Sequence, residues 1–142
     1  MKPTIALFTG DPAGIGPELV DKLLADPATL AKADVILIGQ RGQVAVPAGV
    51  RWHDWAGADA LAFPPAQATA DNGRYMLQGL EVGARLAQSG AAHAFCFAPL
   101  NKGALRAGGM HQEDELRWFA ELLRFDGICG ELNVLENLWT AR

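Results

Sequence analysis

The chain has little with which to cross-link itself, cross a membrane or hold a polyanion. It contains two cysteines, Cys96 and Cys129, far apart in sequence and outside any metal or redox motif. This argues against a disulfide scaffold and predicts buried free thiols in a reducing compartment, hence a cytoplasmic protein. No apolar run approaches the length that a membrane-spanning helix needs. Met1-Lys2-Pro3-Thr4 carries one side-chain positive charge and leads into a short strand, with no long apolar stretch before a small-residue cleavage site, so no export signal is read. The formal net charge of −4 speaks against a nucleic-acid or anionic-membrane surface, leaving small-molecule ligands. Internal repeats are missing, as is any low-complexity segment beyond an alanine-rich middle.

What is present is ordinary globular material: 142 residues, 50% hydrophobic and 20% charged, enough for one domain with a real core. The chain is organised around Gly-Asp-Pro-Ala-Gly-Ile-Gly-Pro-Glu at residues 10–18. An apolar run at 4–9 precedes it and a helical pattern at 18–25 follows, so it reads as strand, tight turn and helix entrance. Gly10, Gly14 and Gly16 permit close backbone approach, and Pro17 suits a first helical turn. A ligand could lie against the main chain, with a phosphate or carboxylate the natural candidate at a helix start. The motif is neither the phosphate loop with its Lys-Ser/Thr pair nor the GxGxxG dinucleotide fingerprint, and a purely structural βα turn is the competing reading.

The remaining pattern is α/β. Residues 17–26 place Leu19, Val20, Leu23 and Leu24 on a helix face, and the apolar run at 34–39 reads as a strand covered on both faces. Two strands separated by one helix suggest a parallel pair. Residues 50–55 form a weak strand signal holding Trp52, His53 and Trp55, with His53 a surface or structural histidine. Residues 69–88 are helical, with Thr69 as cap and Ser89-Gly90 as stop. Residues 94–98, Ala-Phe-Cys-Phe-Ala, predict another strand buried on both faces, with His93 structural at its start. In open parallel sheets ligands bind beyond the carboxyl ends of strands, which makes the loop at 99–103 a neighbour of the glycine turn and offers Lys102 as a cation for an anionic ligand. A helix follows at 111–124, its start carrying Glu113, Asp114 and Glu115. These acids either complement the helix dipole or face the crevice with His111 and accept hydrogen bonds from a ligand. A last strand is read at 127–134, and the apolar pattern runs on to residue 142, which reads as truncation.

Taken together, GDPAGIGPE, the helix opening Asp71-Asn72-Gly73-Arg74-Tyr75, the post-strand Ala98-Pro99-Leu100-Asn101-Lys102-Gly103, and Ala107-Gly108-Gly109 before an acidic helix start resemble the 4-hydroxythreonine-4-phosphate dehydrogenase family. The resemblance covers nearly the whole chain, while family members are well over twice its length. It implies a three-layer α/β sandwich with a mainly parallel sheet, like the first domain of isocitrate and isopropylmalate dehydrogenases. Residues 1–126 would be an incomplete amino-terminal domain and residues 127–142 the start of strands leading into a second, absent domain. It also implies a homodimer when full length. The implied chemistry is hydride transfer to NAD or NADP from a hydroxy acid, followed by decarboxylation, aided by a divalent metal (Zn, Mg, Mn or Co). The metal ligands would lie beyond residue 142, since none of the three histidines here matches the family's three; no metal site and no catalytic residue is assigned within the chain. The fragment alone would be inactive. By the same resemblance Gly10, Asp11, Ala13, Gly14 and Gly16 are cofactor-binding, and Lys102, His111, Glu113 and Asp114 substrate-binding. One departure stands out: Glu113 and Asp114 occupy the places of a substrate-contacting histidine and threonine. Two acids would repel a substrate phosphate, which suggests a relative acting on a different hydroxy acid or a dihydrodiol carboxylate. The alternative is a non-catalytic α/β module holding a small anion at residues 10–16 and Lys102.

Overall fold

The computed structural model describes residues 1–60, 63–136 and 138–141. The apolar end is read as running through Asn137 to Arg142, and these two residues lie outside the described ones. Two compact units form, Met1–Met110 and His111–Arg142.

In the first unit, β1 (Thr4–Phe8), β2 (Asp34–Ile38), β3 (Arg51–Trp52) and β4 (Ala94–Phe97) make one sheet in the order β3-β2-β1-β4, every pairing parallel. Parallel strands need crossover connections; helices supply two of the three, and β2 reaches β3 through the irregular stretch 39–50. The first runs from β1 through α1 (Gly16–Ala25) and the short α2 (Pro27–Lys32) to β2; α3 (Ala70–Gln88) leads into β4, and α4 (Lys102–Ala107) follows it. Side chains along a strand alternate between faces. Leu7 therefore joins Val20 and Leu24 of α1 with Val35 and Leu37, whereas Phe8 lies against Gly79 of α3. Helices thus cover both faces of the central strands, and β2 reads as a continuous Val-Ile-Leu-Ile run, all buried. The α/β expectation and the parallel pair hold.

Three readings are corrected. The run at 94–98 was expected to be buried on both faces, but β4 is an edge strand: Ala94, Cys96 and Phe97 are exposed and only Phe95 is partly covered, against Gly83 of α3. An apolar run reports what a strand can be packed against, not whether a neighbour stands there. Cys96 is exposed for that reason, and Cys129, in an irregular stretch, is exposed as well, so neither thiol is buried. The helix expected over 111–124 is α5 (Glu115–Leu122), because Asp114 caps it and the preceding residues stay outside.

In the second unit, α5 is followed by Arg124 at φ 53° and an irregular stretch, and the strand read at 127–134 begins only at Leu132. There β5 (Leu132–Leu135) pairs antiparallel with β6 (Leu138–Ala141). Leu132, Val134, Leu135 and Trp139 are exposed on this hairpin.

Candidate ligand crevice at the carboxyl edge of the sheet

The glycine turn leaves β1 at its carboxyl end. Thr9 N–H donates to the Ile38 carbonyl at 3.0 Å, and Asp11 N–H donates to the Pro99 carbonyl at 3.0 Å. The loops after β1 and β4 are therefore direct neighbours, as their positions beyond parallel strands require. Gly10 makes this approach possible: its φ is +75°, and a Cβ there would lie 2.5 Å from the Pro99 oxygen and 2.6 Å from that of Ala98. Beyond it, Ala13 N–H donates to Asp11 Oδ1 at 3.0 Å and Gly14 N–H to the Asp11 carbonyl at 3.1 Å, closing a tight turn on the aspartate. Gln43 Nε2 donates to the Pro12 carbonyl at 3.1 Å and Ala66 N–H to that of Ala13 at 2.9 Å, so neighbouring loops pin the crest.

The start of α3 is tied to the same turn. Thr69 caps the helix, accepting from Asn72 N–H at 3.2 Å. Asn72 is fully buried; its Nδ2 donates to Asp11 Oδ1 at 3.3 Å and to the Gln67 carbonyl at 3.0 Å, while the Thr69 hydroxyl donates to its Oδ1. One turn on, Gly73 packs against α4: a Cβ would overlap the Ala104 carbonyl and lie 2.9 Å from Gly108 Cα. Asn101 caps α4, its Oδ1 accepting from Ala104 N–H at 3.0 Å, and places exposed Lys102 at the first helical position. The segments around residues 10–16, 71–75, 98–103 and 107–108, scattered in sequence, thus form one connected structure.

The remaining candidates belong to the second unit. Asp114 accepts from Arg117 N–H at 2.9 Å as cap of α5, and Glu113 pairs with Arg117 Nε at 3.4 Å. His111 is exposed, its N–H donating to Gln112 Oε1 at 3.2 Å. These contacts match the helix-start account of the acids. Of the other histidines, His93 accepts from Thr4 N–H through Nδ1 at 3.0 Å and His53 N–H donates to the Leu37 carbonyl at 2.9 Å, so both serve the sheet. Among the described residues, no group of three or more His, Cys, Asp or Glu could hold a metal ion.

A cavity of about 570 Å³ went unnoticed in the sequence. Asp71, Arg74, Tyr75 and Gln78 of α3 line it, together with Ala56, Gly57, Ala60, Phe63 and Pro64. The helical spacing of those four residues was the available signal; the partner wall, from an irregular stretch, carried none. Tyr75 packs among Phe8, Trp55 and Phe63 at ring separations of 5.8, 5.1 and 5.2 Å. Burial pushes its phenol well above the ordinary value of 10.0, opposed weakly by the nearby Thr9 hydroxyl, although neither hydroxyl reaches hydrogen-bond geometry.

A parallel α/β sheet with a glycine turn and a capped-helix loop abutting at its carboxyl edge defines the class: an α/β domain with helices on both faces and a crevice at the edge where open parallel sheets bind ligands. The particular family follows from comparison, for residues 21–142 match the model of the pyridoxal phosphate biosynthetic protein PdxA. The chain belongs to the PdxA family, that of the 4-hydroxythreonine-4-phosphate dehydrogenases. A Pseudomonas aeruginosa protein assigned to those dehydrogenases is 38% identical over 163 residues, covering 99% of this chain and 48% of its own length. The D-threonate 4-phosphate dehydrogenase of Pectobacterium atrosepticum is 29% identical over 133 residues, covering 77% of this chain and 40% of its own length. The crystal structure of a 4-hydroxythreonine-4-phosphate dehydrogenase from Burkholderia phymatum superimposes with a TM-score of 0.81 at 28% identity, over 99% of this chain and 49% of that one. The chain spans about half the length of these relatives.

Proposed function

We propose that the chain is the amino-terminal part of a dehydrogenase that uses NAD or NADP and a divalent metal to oxidise and decarboxylate a hydroxy acid, either a phosphorylated one or a dihydrodiol carboxylate. Either 4-hydroxythreonine 4-phosphate or D-threonate 4-phosphate, the substrates named for its relatives, fits the phosphorylated class. The observation that carries the reading is the union of the four motif segments at one sheet edge, in a chain that matches the family over residues 21–142. On this reading residues 1–126 belong to the first domain and 127–142 lead into a second one, and the complete enzyme is a cytoplasmic homodimer. Gly10, Asp11, Ala13, Gly14 and Gly16 contribute to the cofactor site, and Lys102, His111, Glu113 and Asp114 to the substrate site. The metal ligands, on the same reading, lie beyond residue 142.

The test is NADH formation from each phosphorylated acid and from a dihydrodiol carboxylate with Mg, Mn, Zn or Co present. It is run on the 142-residue chain and on that chain mixed with the carboxyl-terminal half of a relative. The expected result is no turnover by the chain alone and metal-dependent turnover in the mixture. Turnover by the chain alone would refute the division of labour; an inert mixture in which the halves demonstrably associate would refute the assigned chemistry.

A further inference from the structure

Asp11 is a nearly enclosed carboxylate, 7% exposed, at the centre of the glycine turn. Its two oxygens are used unequally. Oδ1 accepts from Ala13 N–H and from Asn72 Nδ2. Oδ2 accepts from no described residue and is not sealed off; it lies beside Gly14, where a Cβ would sit 3.3 Å away. A buried carboxylate with a spare acceptor is costly unless something donates to it, and the bare Gly14 Cα leaves a donor room to approach.

The backbone next to the carboxylate itself offers an anion little: the amides of Asp11, Ala13 and Gly14 already donate inside the protein, and Pro12 and Pro17 have none. The amides left for a ligand are those of Ile15, Gly16 and Glu18 further along, at the start of α1 where no side chain caps the helix. The first turn of α1 adds Glu18, a second acid, whose partner is Lys22 at 2.7 Å. At Oδ2 a phosphate would meet an enclosed carboxylate of its own charge; a hydroxyl would meet a ready acceptor.

We propose that the glycine turn binds a hydroxyl-bearing, uncharged portion of its ligand through Asp11 Oδ2, and that Asn72 is the positioning residue that aims this carboxylate. Resting on the function proposed above, that portion is a ribose of the dinucleotide, while the pyrophosphate is held elsewhere. Acids reading ribose hydroxyls are chemically familiar, since a carboxylate accepts from two adjacent hydroxyls.

The test is amide NMR of the 142-residue chain titrated separately with inorganic phosphate, D-ribose and NAD, following residues 10–16. Ribose and NAD should give saturable shifts at Ala13 and Gly14, and phosphate none at equal concentration. Asp11→Asn should weaken the ribose response at least tenfold, and Asn72→Ser should both weaken it and move the Asp11 carboxyl carbon resonance. Saturable phosphate shifts in the turn, silence towards ribose, or a ribose response indifferent to Asp11→Asn would each overturn the proposal; the phosphate arm needs no variant and so survives a misfolded one. An unmoved Asp11 resonance in Asn72→Ser would overturn the role of Asn72. A response to ribose without one to NAD would sink the dinucleotide reading and leave the hydroxyl site standing.

Discussion

Replacing Gly10 with alanine tests the junction on which the crevice depends. The new Cβ would lie 2.5 and 2.6 Å from the Pro99 and Ala98 oxygens, roughly 0.8 Å inside an ordinary C···O contact of about 3.3–3.6 Å. Relief requires the two loops to part by that amount, stretching the 3.0 Å hydrogen bond from Asp11 N–H to Pro99 beyond useful length. Overpacking costs about 1–3 kcal/mol, the lost bond about 1 kcal/mol, and the left-handed φ of +75° about 1 kcal/mol for a residue with a side chain. The expected loss is about 3–5 kcal/mol. Gly49 is the control: its φ is +91° but nothing lies within 4 Å of a Cβ there, so Gly49→Ala bears the conformational cost alone, about 1 kcal/mol. Equilibrium urea unfolding followed by circular dichroism would read both. If Gly10→Ala unfolds at the same urea concentration as Gly49→Ala, the close approach of the two loops is wrong.

Other consequences are cheaper to check. Tyr75 is the sole tyrosine, so tyrosinate absorbance reports it cleanly. Its folded pKa is raised, so its contribution to stability is complete below pH 10 and is lost as pH climbs above that; the phenolate band should appear only with unfolding, and a normal titration in the folded chain would refute its burial. Asn101→Ala removes the α4 cap and should cost about 1 kcal/mol in a urea titration, whereas an unchanged midpoint would deny the cap. Glu18 is held below its ordinary 4.5 by the hydrogen bond and then the charge of Lys22, so Lys22→Ala should return its NMR titration towards 4.5. The small stabilisation from that pair is present above the ordinary glutamate pKa and fades as acid protonates Glu18. Cys96 and Cys129 should both react with a thiol reagent in the native chain; a protected thiol would contradict the exposed edge of β4 or the open stretch at 129.

Much of the fold was legible along the chain because its signals are local. Consecutive apolar residues at 34–38, a helical pattern at 69–88 closed by Ser89-Gly90, and glycines at the β1–α1 turn each act within a few residues of themselves. The neighbouring of the 10–16 and 99–103 loops could be inferred as well, since parallel strands deliver their carboxyl ends to one edge. The short α2 and α4 escaped notice: six residues offer too little periodicity, and their caps, Asp26 and Asn101, also suit turns.

What the sequence by itself determined is thus the alternation of elements, the positions of the turns and the family. Tertiary structure alone decided which strand stands at the edge, since β4 has as apolar a sequence as β2 and differs only in having one neighbour. It also decided the surroundings of Asp11. Along the chain Asp11 was one more residue of a glycine turn; only the approach of Asn72, 61 residues away, brings a side-chain donor to its Oδ1. Such pairings depend on where two distant backbones meet, and no local pattern encodes that distance.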